Sequence, residues 1–144
     1  MAAATRTACA RPRLLAALLM ASIVSTAVHY TDNFVAFNAY PGSDAISRPT
    51  IPITWAVLTV LGLLGYALYR AGRSLPAHAL LASYALTGLT TPLHYLYGSP
   101  SQLPLWRNAS ILADGVIGLA ILVFVARSWT SQHPLRAPVR ASVR

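Results

Sequence analysis

The sequence predicts an all-α membrane protein with four transmembrane helices, and three observations lead there. Of its 144 residues 56% are hydrophobic and 10% charged, an imbalance that a soluble domain of this size could not cover with polar surface. Four apolar runs, about 14–31, 51–69, 77–97 and 108–127, each approach the ~20 residues needed to cross a hydrocarbon core of about 30 Å. The arginines are segregated: Arg6, Arg11, Arg13, Arg70, Arg73, Arg127, Arg136, Arg140 and Arg144 fall at the N-terminus, second loop and tail, and only Arg48 and Arg107 in the first and third loops. That is the positive-inside pattern, which places both termini in the cytoplasm and the chain in the cell membrane as a multi-pass protein. A basic lead over 1–13, a membrane domain over 14–129 and a basic tail over 130–144 follow.

The net charge of +8 would suggest nucleic acid in a soluble protein, but its distribution along membrane boundaries excludes that partner and names the lipid bilayer instead. Cys9 is the single cysteine, so there is no intramolecular disulfide or thiolate cluster to find.

The lead reads as irregular. The first run doubles as a signal-peptide pattern with Ser25-x-Ala27 as a small-residue cleavage site, against which its apolar character continues to Tyr30 and Phe34. In the first loop, residues 40–44 (Tyr-Pro-Gly-Ser-Asp) carry strong turn chemistry, and Phe34, Phe37 and Tyr40, three apart, read as interfacial anchors or a short amphipathic helix. Pro52 suits a first helical turn, and Trp55 marks the outer interface. The short second loop makes the second and third helices antiparallel neighbours. Pro92 removes a backbone hydrogen bond from the third helix, predicting a kink that frees the carbonyl of Gly88. Trp106 and Arg107 close the third loop.

The chain echoes itself. Ser25-Thr26-x-x-His29-Tyr30 is matched by Thr90-Thr91-x-x-His94-Tyr95, and at another offset Gly62-x-x-Gly65 by Gly115-x-x-Gly118. Two tandem helix-hairpin repeats, related by an axis along the membrane normal, would explain this. The glycines read as helix-packing residues.

Asp114 is the most informative residue, because an aspartate deep in a spanning helix costs roughly 2.5–3.5 kcal/mol on insertion scales and needs compensation. His29, Asp32 and His94 lie near the same outer end, so these four residues form the predicted binding pocket. His29, His94 and Asp114 are an adequate ligand set for a divalent metal. A cationic partner or metal beside Asp114 is the favoured compensation. His78 and His133 read as inert.

The leading functional reading is a membrane protein that binds or helps move a small molecule or ion through an outward-facing His/Asp pocket, alone, as an oligomer or within a membrane complex. The competing readings are a membrane-embedded metal-dependent enzyme acting on lipid, a haem protein with His29 and His94 as axial ligands, and a non-catalytic subunit. No Walker loop, HExxH or Gly-x-Ser-x-Gly motif is present.

Overall fold

The computed structural model describes residues 2–40 and 46–132, with side chains in the first helix from Pro12 onward. It is all-helical, with no strand among the described residues. The order is α1 (Ala2–Val35), a 3-10 turn (Phe37–Ala39), α2 (Thr50–Arg70), α3 (Ser74–Thr90) continuing as a 3-10 helix (Thr91–Leu96), a 3-10 turn (Pro100–Gln102) and α4 (Leu105–Gln132). Three helices are long and apolar enough to cross a membrane: Pro12–Val35, Thr50–Arg70 and Leu105–Gln132.

Each helix packs on its neighbours in sequence, and α4 closes the ring against α1. The core is built from Leu15, Leu19, Leu81, Tyr84, Ala85, Ile121 and Val125. Because lipid is as apolar as leucine, such a bundle is held by close approach rather than by escape from water. The glycines supply that approach. A Cβ on Gly88 would stand 2.7 Å from the Asp114 carbonyl oxygen, and one on Gly118 would stand 2.8 Å from that of Ala85. Here α3 and α4 touch backbone to backbone. Gly62 receives the Tyr84 ring and Gly65 receives Leu81, so all four glycines assigned to packing do pack, and Gly88 joins them.

The glycine pairs do not occupy equivalent interfaces. A tandem repeat that carries α2 onto α4 and α3 onto α1 would turn Gly115 and Gly118 toward α1. They face Pro92, Ala85, Gly88 and Leu89 of α3 instead.

Two local expectations change. The alanine-rich lead is helical from Ala2 rather than irregular, as alanine's helix propensity favours. The Gly88 carbonyl is not freed by Pro92: the chain tightens from α to 3-10 geometry, and the Thr91 N–H donates to it. The second loop ends α2 with Gly72 at φ 74°. The Arg73 N–H reaches the Leu68 carbonyl and the Gly72 N–H that of Tyr69, which is the hydrogen-bonded glycine termination of a helix. Of the first-loop turn residues, 41–44 lie outside the described residues, as does the tail from 133.

Candidate functional site

The last turns of α1 place His29, Asp32 and Asn33 on one face, and the first turns of α4 place Arg107, Ser110 and Asp114 opposite, because i, i+3, i+4 and i+7 share a helical stripe. Asp32 accepts from Arg107 Nε at 2.7 Å and Nη2 at 3.3 Å. The Tyr40 hydroxyl donates to the same carboxylate at 2.6 Å. The Arg107 guanidinium lies 5.0 Å from the centroids of both Tyr40 and Trp106. Tyr40 is thus folded from the first loop onto the Asp32–Arg107 pair. Its burial pushes the phenol above the ordinary tyrosine range, and the hydrogen bond to Asp32 adds to that.

His29 is 1% exposed, and both its nitrogens are engaged. Ser110 donates its hydroxyl proton to the Arg107 carbonyl at 3.0 Å. Its lone pair therefore receives the His29 Nδ1–H, at 3.2 Å. That tautomer leaves Nε2 to accept from the Asn33 amide at 2.9 Å. The rings of His29, His94 and Tyr40 form a triangle with centroids 5.2–5.7 Å apart, the two histidines at 5.6 Å. The two histidine rings do meet, His29 buried and His94 half-buried.

Asp114 does not join them. It is 1% exposed, one carboxyl oxygen accepts from the Ser25 hydroxyl, and the other is buried without a hydrogen-bond partner among the described residues. The expected cationic partner is replaced by a polar stripe on α1. Along it Thr26 donates to the Ser22 carbonyl at 2.8 Å, Tyr84 to the Ser22 hydroxyl at 3.0 Å, and Trp55 Nε1–H to Thr26 at 3.2 Å. Trp55 is thereby turned into the bundle.

The metal set His29, His94 and Asp114 is not assembled, and among the described residues no three His, Cys, Asp or Glu side chains come close enough together to hold an ion. Axial haem ligation by His29 and His94 does not fit either. Their rings touch each other and Tyr40, and the His29 lone pair is already used.

Between the α1 and α2 ends and the 3-10 extension of α3 lies a cavity of about 820 Å³. His29, Asn33 and Tyr40 line one wall, His94, Thr91 and Thr87 another. Asp32 and Asp114 stand behind this lining, so of the four predicted site residues two reach the cavity. Sequence reading missed Asn33, Tyr40 and Ser110; the i+4 step from His29 and the i+3 step from Arg107 were the available signals. At the opposite end His78 is 5% exposed, donates from Nδ1 to the Ser74 carbonyl at 2.7 Å and packs on Tyr69 and Trp129. His133 lies outside the described residues.

Comparison of the chain with protein families, with curated proteins and with solved structures finds no match.

Proposed function

We propose that this chain is a four-span protein of the cell membrane, both ends cytoplasmic, that binds a small amphipathic molecule in the cavity at its outer end. The observation that carries this is the cavity itself. Its volume, about 820 Å³, falls within the roughly 300–1,000 Å³ of small-molecule sites. Its lining mixes aliphatic and aromatic side chains with a row of threonines, two asparagines and two histidines, so it can take both the apolar body and the polar end of such a molecule. Holding the molecule for transfer or for a partner protein is the activity that such a site supports. The metal-enzyme and haem readings lack a donor set here, and the ion reading is weakened because neither carboxylate faces the cavity.

The span of α3 belongs to this proposal. Its 17 α-helical and 6 3-10 residues extend about 37 Å at the usual rises, enough for a hydrocarbon core.

The test is binding of a neutral, environment-sensitive dye, Nile red, to protein in lipid nanodiscs. Thr54→Trp or Leu93→Trp, each filling the cavity, should remove the protein-dependent signal, whereas lipid-facing Leu119→Trp should not. A signal indifferent to the first two variants would sink the reading.

A further inference from the structure

The cavity's hydrogen-bonding polarity follows from the Thr90-Thr91-Pro92 sequence. Pro92 has no N–H, and the tightened turn sends the Thr91 N–H to the Gly88 carbonyl. The Thr87 carbonyl, which an α-helix would pair with the Thr91 N–H, is instead reached by hydroxyls: Thr90 donates to it at 2.9 Å and Thr91 at 3.4 Å. Thr87 donates its own hydroxyl to the Tyr84 carbonyl, and across the cavity Thr50 donates to that of Ser47 at 2.6 Å. A hydroxyl has one proton and two lone pairs. With the proton spent on backbone, these four cavity-lining threonines present acceptors only.

Two further polar liners agree, while Tyr30, Asn33, Asn38, Thr54, His94 and Tyr97 complete the polar lining. Tyr40 spends its proton on Asp32, and His29 has no N–H or lone pair to spare. Tyr30, Phe37, Tyr40 and Tyr97 line the same space, and aromatic rings attract cations through the partial negative charge of their faces. Among the described residues no Lys or Arg lines the cavity. The two outer arginines are turned away from it: Arg107 is held by Asp32 behind Tyr40, and Arg48 donates to the Phe34 and Val35 carbonyls at 2.7 and 2.9 Å while covering the Phe34 ring.

We infer that the cavity selects an amphipathic organic ammonium, its N–H donors on the threonine oxygens and its hydrocarbon against the aromatic and aliphatic wall. This rests on the binding reading above and names its ligand class. An anionic or acceptor-only headgroup finds no donor to meet it in the threonine set, whereas each of the three N–H groups of a primary ammonium can find an acceptor there.

The experiment displaces Nile red from wild-type nanodiscs with three probes of one chain length, octylammonium, octanol and octanoate, at about pH 8, above the ordinary imidazole range. Thr54→Trp nanodiscs correct for partitioning into lipid. Octylammonium should displace the dye at roughly ten-fold lower concentration than octanol, the factor expected of one charge-assisted hydrogen bond, and octanoate should be weakest. The double variant Thr50→Val/Thr87→Val keeps shape and removes two of the four acceptors, and the Ser47 carbonyl stays paired with the Thr50 N–H. It should lower the preference for octylammonium over octanol, each displacement read relative to that variant's own Nile red affinity, and an unchanged preference overturns the inference. Equal displacement by all three probes, or a preference for octanoate, overturns the ammonium inference but leaves the binding site standing. Absence of any cavity-dependent dye signal overturns both.

Discussion

Asp32 and Asp114 are two carboxyl groups in one bundle with opposite surroundings, and their substitutions should separate them. Asp32 has a guanidinium and a phenol on it. Asp32→Asn should destabilise the protein by about 1.5–3 kcal/mol, the range for hydrogen bonds to charged groups, and a double-mutant cycle with Arg107→Gln should show coupling, read by thermal denaturation in detergent. Among the described residues Asp114 has only the Ser25 hydroxyl. An asparagine oxygen accepts that proton equally well, so Asp114→Asn should change stability by less than about 1 kcal/mol, and its effect should simply add to that of His94→Ala. Coupling between those two would place a partner on Asp114 that the structure does not. Tyr40 gives the pH dependence. Its phenol is raised by burial and by Asp32, so the folded state favours the protonated form. The contribution is present below the ordinary tyrosine value near 10 and is lost as pH rises through the higher folded value. Alkaline titration at the tyrosinate absorbance should show Tyr40→Phe removing a late-ionising group and flattening the loss of stability above about pH 10.

At the scale of elements, α3 is where packing is least forgiving. Gly88→Ala and Gly118→Ala each place a methyl under 3 Å from backbone oxygen, which cannot rotate away, so each should cost about 1–3 kcal/mol. Gly115→Ala comes no closer than 3.3 Å, to Pro92 Cγ, and should cost less; melting temperatures of the three variants rank them. Sequence reading went furthest where one physical constraint acts alone. Hydrophobic length located the three helices that meet the spanning criterion, and small-residue spacing found the packing glycines. It failed where two constraints compete. Pro92 deletes a donor, but the chain can restore the pairing by switching helix type and recruiting threonine hydroxyls, and nothing local says which happens. Tyr40 suggested an interfacial anchor because a tyrosine suits headgroups, and nothing local in the sequence announced that its hydroxyl would bond the half-buried Asp32–Arg107 pair. The pairing of Asp114 with Ser25 joins residues 89 apart. Its intramembrane cost was legible; its partner was not.

At the scale of the whole molecule, the closed ring bears on how many times the chain crosses the bilayer. Three helices meet the length and hydropathy of a span, and α3 does not meet that length on its own α-helical residues. Yet α3 packs between α2 and α4, with its Gly88 crossing the middle of α4 and its Leu81 and Tyr84 buried against α2 glycines. If α2 and α4 cross, an element wedged along both lies at their depth, and its backbone must be internally paired there. The α-helix followed by a 3-10 extension meets that demand through Pro92. An even number of crossings then puts Gly72 and Ser131 on one side and Gln102 on the other, with the arginine-rich ends inside. The measurement uses single cysteines at these three positions in a Cys9→Ser background, exposed to a membrane-impermeant maleimide on intact cells. Gln102→Cys should label, while Gly72→Cys and Ser131→Cys should label only after permeabilisation. Labelling of Gly72→Cys together with Gln102→Cys on intact cells would mean that α3 does not cross, and with it the outer placement of the cavity would fall.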